Sequence, residues 1–129
     1  MTKLFDHRRL DVYAIALRFL ALAHPASRAL PRGNADLGDQ LRRASTSIVL
    51  NIAEGAGEFA PGDKARFYRM ARRSSTECAA IIDVVETLGY VEPQPADQMR
   101  DKLQQVAAML TAMVKRLDSN VVQATSLPS

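Results

Sequence analysis

The sequence predicts an all-α fold, an antiparallel up-and-down four-helix bundle that spans residues 1–118. The composition favours helices over a β-sandwich or barrel, since the chain has no Trp, 5% aromatic residues and six Gly among 129 residues. Four segments carry apolar residues at alternating spacings of three and four, as amphipathic helices do. Pro, Gly and Asn separate these segments. The predicted helices cover about residues 10–28, 36–54, 63–89 and 96–118.

The first helix is apolar nearly all the way around. Leu10, Tyr13 and Leu17 form one stripe. The second stripe consists of Val12, Ile15, Phe19 and Leu22. Because the bundle covers only one stripe, we expect the second to contact another copy of the chain. Pro25 either ends this helix or kinks it.

Glycines and prolines mark the bounds of the other helices. The second is expected to end at Gly55 and Gly57, and the third at Gly89. Pro93 and Pro95 set the start of the fourth, which has the most regular apolar seam: Met99, Leu103, Val106, Leu110, Met113 and Leu117. The last eleven residues, 119–129, lack periodicity and are predicted to form a flexible tail.

The N-terminus superficially resembles a secretory signal, because basic residues precede an apolar stretch. Asp11 and Arg18 interrupt that stretch, so we expect a buried helix instead. No apolar run is long enough to cross a bilayer. Cys78 is the only cysteine, which excludes an intrachain disulfide and favours a reducing, cytoplasmic location.

The usual sites of catalysis in helical proteins are missing from the sequence. No Glu is followed three residues later by His, as di-metal bundles require, and His7 and His24 show no metal-ligand spacing. Residues 55–60 match a relaxed dinucleotide fingerprint, but a predicted helix precedes them where a strand is needed. Cys78 lies on the predicted core stripe, which is typical of an inert thiol. We therefore expect no enzyme activity, catalytic residue, metal or cofactor.

Basic residues are concentrated in the first 73 residues, which hold 13 Lys and Arg against 7 Asp and Glu; the remaining 56 hold 4 against 7. Six arginines lie on the second and third helices: Arg42, Arg43, Arg66, Arg69, Arg72 and Arg73. One interpretation is a solvated face, and the other is a phosphate-binding surface, since guanidinium groups match phosphate oxygens. Phe67 and Tyr68 are better used in packing, so backbone contacts are favoured over base stacking.

The second helix also carries polar residues among its apolar positions, and these need partners. A short turn near residues 56–62 makes the second and third helices antiparallel, so the numbers of opposing residues sum to about 119. This register pairs Asn51 with Tyr68 and Arg43 with Glu77. We expect a hydrogen bond in the first pair and an ion pair in the second.

The sequence resembles the four helix bundle proteins encoded in intervening sequences of some bacterial 23S rRNA genes. The likeness covers about residues 9–115 and is carried by these segments: Leu10–Tyr13, Asp39–Ser45, Ser47–Ile48, Asn51–Gly55, Phe67–Tyr68, Ala71–Arg72 with Ser74, and Glu77–Cys78. The resemblance implies an up-and-down bundle that assembles into a homopentameric barrel. It also implies a relationship to accessory proteins of diversity-generating retroelements, which bind nucleic acid and a reverse transcriptase. It implies no enzyme activity.

Three functions are compatible with the sequence. The favoured one is a non-enzymatic homo-oligomer that binds RNA or DNA backbones without sequence preference through its arginines. The alternative is a protein-interaction scaffold or accessory subunit for a nucleic-acid enzyme such as a reverse transcriptase. The third is a bundle that binds a small molecule.

Overall fold

The computed structural model describes the backbone of residues 5–126 and the side chains of residues 5–120. A short 3₁₀ helix at Asp6–Arg9 precedes four long helices: α1 (Asp11–Arg28), α2 (Ala35–Gly57), α3 (Pro61–Thr87) and α4 (Pro93–Ser126). No strand occurs in this part of the chain. Short connections make consecutive helices antiparallel, each packs on the next, and α4 packs back on α1. The predicted all-α class and the four helices are confirmed.

The end of α3 follows the prediction closely. Gly89 has a φ of 77°, in the left-handed region that glycine adopts without strain. Its N–H donates to the Glu86 carbonyl at 2.9 Å, and the Tyr90 N–H donates to the Val85 carbonyl at 2.8 Å. These bonds satisfy carbonyl groups that the last turn of a helix otherwise leaves free.

The predicted end of α1 near residue 28 is confirmed, whereas the predicted end of α4 was wrong. Pro25 does not end α1, which continues to Arg28. The proline stands in the last turns, and its carbonyl accepts the Ala29 N–H at 3.1 Å. Residues 119–126, expected to be a flexible tail, continue α4 as regular helix. Residues 127–129 of that predicted tail lie outside the described residues.

The second helix ends at Gly57, as predicted, but neither Gly55 nor Gly57 adopts the left-handed conformation that glycine often has at a helix end. Both belong to α2, and Gly55 is buried. A Cβ atom on Gly55 would lie 2.6 Å from Cε1 of Tyr68 and 3.1 Å from Cβ of Phe67. The Lys64 ammonium donates to the carbonyl groups of Gly55 at 3.2 Å and Ala56 at 3.0 Å. Gly55 therefore allows close helix packing, and Lys64 caps α2.

The face of α1 that enters the core is the one the sequence analysis assigned to a neighbouring copy. Val12 and Phe19 are fully buried in the monomer, so their assignment to an oligomer interface is wrong. Ala16 and Ala23 are also fully buried and complete the same face. These alanines let α1 approach the bundle closely, which places the larger side chains between them in the core.

The other α1 stripe residues lie at the margin of the core. Ile15 and Leu22 are half-buried and pack against core residues, as do Leu10 and Tyr13. Leu17 is 40% exposed. The stripe that the sequence analysis assigned to the bundle is therefore the more exposed of the two.

The polar residues of α2 are satisfied differently from the prediction. The Asn51 amide donates to the Ser47 carbonyl at 2.9 Å and to the Ser47 hydroxyl at 3.0 Å, both within α2. The link to α3 is a hydrogen bond between the hydroxyls of Ser47 and Ser74 at 3.0 Å. Among the described residues, Asn51 and Tyr68 share no hydrogen bond, so that pairing was wrong.

The second predicted pair is also absent from the described residues. Arg43 and Glu77 are both exposed, and no ion pair joins them. The register explains part of the error. Ser47 faces Ser74 and Gly55 faces Tyr68, so the numbers of opposing residues sum to 121 and 123 instead of about 119. Helical side chains lean toward the N-terminus of their helix. Touching residues in antiparallel helices therefore have higher numbers than a count from the turn suggests.

Ion pairs fasten α4 to α3 toward both ends of their contact. Near one end, the Arg69 guanidinium meets the Asp118 carboxylate at 2.5 Å. Near the other, Arg100 binds Asp83 at 2.9 Å and also pairs with Glu86. Hydrogen bonds to Glu86 and Asp83 raise the pKa of Arg100 above its usual value. Because these groups are partly exposed, the ion pairs orient the helices more than they stabilise them.

We predict that Gly55→Ala lowers the free energy of unfolding by about 1–3 kcal/mol, because Tyr68 must move away from α2. Gly57→Ala is the matched control, since nothing lies within 4 Å of a Cβ there. The control is expected to leave stability unchanged or raise it by up to about 1 kcal/mol. Urea unfolding of both variants measures the difference. Equal stabilities would contradict the close packing.

We also predict that Phe19→Ala destabilises the monomer fold by about 3–5 kcal/mol, since it empties a fully buried site. Leu17→Ala, two residues away on the exposed side of α1, is expected to cost less than about 1 kcal/mol. Denaturant titrations followed by circular dichroism provide both values. Equal destabilisation by the two variants would indicate that Phe19 is not part of the monomer core.

Candidate nucleic-acid interface

Two of the predicted arginines are exposed on the outer face of α3. Arg66 and Arg73 are two turns apart, on the side of the helix away from the buried Ala71 and Cys78. Within the described residues, neither forms an ion pair. Their guanidinium groups are therefore available to an anionic ligand.

The other two arginines of α3 are less available. Arg69 is half-exposed and engaged by Asp118 of α4. Arg72 is half-buried. The four arginines that the sequence analysis grouped together thus divide into an exposed pair and a pair with structural contacts.

Arg66 makes one further contact, with the ring of its neighbour Phe67. The guanidinium carbon lies 4.5 Å from the ring centroid, a cation–π contact. Phe67 is half-buried against α2 near Gly55. The guanidinium is therefore held above a ring that is itself anchored in the bundle.

The arginines of α2 differ from each other. Arg42 is half-buried, donates to the Ser27 hydroxyl at 3.2 Å and pairs with Asp39, so it fastens α2 to the end of α1. Arg43 is exposed. Both arginines line a shallow depression of about 420 Å³ on α2, together with Thr46, Ser47, Leu50 and Asn51.

The α2 arginines stand apart from the exposed pair on α3. Because Ser47 faces Ser74, Arg43 is level with residue 78 of α3. That level is twelve residues beyond Arg66, or about 18 Å along the bundle. Arg73 lies between them and is the nearest member of the α3 group. The six predicted arginines are therefore spread along the bundle instead of forming one patch.

The outer face of α3 changes character along its length. The half that contains Arg66 and Arg73 is basic. Beyond the exposed Glu77, the later half exposes Ala80 and Val84, and Leu88 is exposed at the C-terminal cap of the helix. Leu50 of α2 and Met70 of α3 are also exposed and lie level with each other. Leu50, Met70, Ala80 and Val84 were not predicted to form a surface, because they fall outside the main apolar stripes. Their sequence signal is apolar character at positions where helical spacing predicts a polar face.

The structure also exposes an aromatic residue that the sequence analysis did not single out. Phe59 lies in the connection between α2 and α3 and is 98% exposed. Its sequence signal is an aromatic residue inside a Gly- and Pro-rich turn, where no helical stripe accounts for it.

The groups considered for catalysis lie apart from this surface. Cys78 is fully buried, and burial together with the nearby charge of Glu77 raises the pKa of its thiol to about 12. The thiol is therefore protonated at neutral pH. His7 packs edge-to-face on Tyr13 at 4.7 Å between ring centroids, and His24 is exposed.

The part of the chain that the structure describes holds no metal cluster: no group of three or more His, Cys, Asp or Glu side chains there is arranged to bind a metal ion. No helix in this part of the chain has the length and hydropathy needed to cross a membrane. The glycines of the dinucleotide-like motif end a helix and follow no strand, as expected.

Comparison with known proteins agrees with the resemblance seen in the sequence. A family model described as 23S rRNA-intervening sequence protein matches residues 8–112. The match includes α1, α2 and α3 entirely and most of α4. A comparison with curated protein sequences gave no match. This chain, with its four antiparallel helices, belongs to the 23S rRNA-intervening sequence protein family.

Proposed function

We propose that this protein is a non-catalytic homo-oligomer that binds the phosphate backbone of nucleic acid through the exposed arginines of α3. The observation that carries the proposal is the exposure of Arg66 and Arg73 on the outer face of one helix. Arg43, also exposed, extends this surface toward α2, whereas Arg69 is neutralised by Asp118 and Arg72 is half-buried. The proposed function needs neither metal nor cofactor, and its setting is the cytoplasm.

The chemistry of these side chains sets the type of recognition. Guanidinium groups bind phosphate oxygens in a forked geometry, and phosphates carry no base identity. Affinity should therefore depend weakly on sequence and strongly on salt, since each neutralised phosphate of duplex DNA releases counterions. The family is named for intervening sequences of 23S rRNA, which makes structured RNA the first nucleic acid to test.

Assembly would multiply a modest charge. One chain has a formal net charge of +3, which attracts a polyanion only weakly. A ring of five copies, the assembly that the family resemblance implies, would repeat the α3 arginines five times. Several weak contacts made together bind far more tightly than one.

The apolar half of the α3 outer face supports a contact between copies. Val84 and Leu88 are 42% and 52% exposed, and Ala80 lies beside them. Large apolar side chains grouped on one face commonly mark protein interfaces. Because these residues follow the arginines along α3, a second copy can cover them while Arg66 and Arg73 stay free.

The same apolar half supports the alternative function. A scaffold or accessory subunit for a nucleic-acid enzyme, such as a reverse transcriptase, would use Val84 and Leu88 to bind that enzyme. In that case the arginines are only a solvated face. The two functions differ in whether the protein binds nucleic acid by itself.

We predict that Arg66→Glu combined with Arg73→Glu abolishes binding to structured RNA and duplex DNA while leaving the melting temperature nearly unchanged. The matched control is Arg18→Glu combined with Arg28→Glu, which reverses two exposed arginines of α1 and changes net charge equally. Gel shifts over a salt series measure nucleic-acid binding by both double variants. For duplex DNA, replacing both α3 arginines with Gln should reduce the log–log salt slope by about 2 for each copy of the chain that contacts the DNA.

Two results would contradict the proposed function. One is a parent protein that binds no nucleic acid at about 50 mM salt, where phosphate contacts are strong. The other is equal loss of binding in the α3 and α1 double variants, which would indicate general charge attraction without a surface on α3. The first result favours the scaffold.

We predict that Val84→Glu combined with Leu88→Glu dissociates the oligomer and leaves helical content intact, because both positions are exposed in the monomer. The reference is the Arg66 and Arg73 double variant, which should stay assembled. Sedimentation velocity at tens of micromolar distinguishes the species. A monomeric parent would exclude self-association, and an assembled Glu variant would place the interface elsewhere.

A further inference from the structure

We propose that the connection between α2 and α3 carries a stacking site for unpaired nucleobases, formed by Phe59 and by the Arg66 guanidinium above the Phe67 ring. The inference rests on the proposed function and makes it more specific. Phosphate contacts alone do not distinguish single strands from duplexes, whereas a stacking site does, because base faces are accessible only where bases are unpaired.

Phe59 is the first element of the site. Its side chain is 98% exposed, the largest exposure among the large apolar side chains of the described residues. Its neighbours in the chain are Glu58 and Ala60, both outside the core. A single ring without an apolar surround offers little area to a protein partner, but its face matches the area of one base.

The second element is the guanidinium of Arg66. Its central carbon lies over the Phe67 ring, 4.5 Å from the centroid, and the side chain is exposed. Arginine planes and aromatic rings are the surfaces on which proteins stack unpaired bases. Because Phe67 is anchored beside Gly55, the guanidinium is partly oriented before a ligand arrives.

The fold keeps the two elements at the same end of the bundle. The Lys64 ammonium donates to the carbonyl groups of Gly55 and Ala56, so the first turn of α3 is fixed against the last turn of α2. Phe59 stands in the three-residue connection, and Arg66 is about 7.5 Å along α3 from its first residue. Successive nucleotides of one strand can therefore reach both.

The charges around the site determine where the phosphate backbone of the strand lies and where its bases lie. Glu58 and Asp63 flank Phe59 and repel phosphates from the connection itself. Arg66 and Arg73 offer the phosphates a path along α3. The backbone is thus directed along the helix, and a base turns toward Phe59. This charge arrangement favours a nucleic-acid strand over an acidic protein segment as the occupant.

We predict that Phe59→Ala weakens binding of a 15-nucleotide oligothymidine by roughly 5- to 100-fold, the range for loss of one base–aromatic stack. Binding to a blunt 15-base-pair duplex should stay within about twofold of the parent. Phe59→Leu keeps an apolar side chain without a stacking face, so it should resemble Phe59→Ala. Phe59→Tyr should retain parent affinity. Fluorescence anisotropy with labelled oligonucleotides measures the affinities of the parent and of the three variants.

A second measurement reports the contact directly. The chain has no Trp, so Phe59→Trp introduces a single fluorophore at the proposed site. Oligothymidine should quench its emission at concentrations that match the anisotropy titration. The matched control is Tyr90→Trp, near the C-terminal end of α3 and far from the connection. That emission should not change.

The outcomes separate this inference from the proposed function. If duplex binding depends on the α3 arginines while Phe59→Ala and Phe59→Leu bind oligothymidine like the parent, only the stacking site is wrong. Equal losses for single strand and duplex, or no quenching at the introduced tryptophan on binding, also overturn it. If the parent binds neither ligand, both the stacking site and the proposed function fail.

Discussion

The close approach of α2 and α3 at Gly55 is the constraint on which the exposed surface depends. Tyr68 and Phe67 occupy the space where any side chain at position 55 would lie. Their packing sets how α3 is rotated about its own axis, because it turns Tyr68 inward against α2. Once that face is fixed, helical geometry directs Arg66 and Arg73 outward. The contact therefore determines which arginines meet solvent, although it involves none of them.

The same contact organises the connection between the two helices. Lys64 caps α2 from the first turn of α3, which leaves only residues 58–60 between the helices. A connection this short cannot fold back on the bundle, so the Phe59 side chain has no core to enter. The burial of Tyr68 and the exposure of Phe59 are thus two consequences of one local arrangement.

The sequence predicts elements better than it predicts faces. The seam of α4 was correct, because large apolar residues repeat there over many turns, and Gly89 marks the end of α3. On α1 two stripes competed, and the choice depended on Ala16 and Ala23, which contribute little to a pattern of large apolar residues. An alanine is buried when a neighbouring helix approaches it closely. That approach depends on the partner helix, so it cannot be read from the sequence of α1 alone.

Polar contacts were the least predictable part of the candidate site. Two serines buried in the bundle donate hydrogen bonds to backbone carbonyl groups of their own helix: Ser45 donates to the Arg42 carbonyl and Ser75 to the Ala71 carbonyl. Such local bonds satisfy buried hydroxyls without specifying a neighbour, so Ser45 and Ser75 do not fix the register. The hydrogen bond between Ser47 and Ser74 does join α2 to α3. Ion pairs such as Arg69 with Asp118 depend on that register in turn.

The division of α3 into a basic and an apolar half follows from these constraints. The inner face of the helix is occupied throughout by packing against α2 and α4, so only its outer face is free to vary. Along that face Arg66 and Arg73 are succeeded by Ala80 and Val84 without a change in helix geometry. A rigid helix thus holds a charged surface and an apolar surface at a fixed separation. If copies associate through the apolar half, the basic halves and the Phe59 connections acquire a fixed spacing in the assembly, because the same helix carries all three.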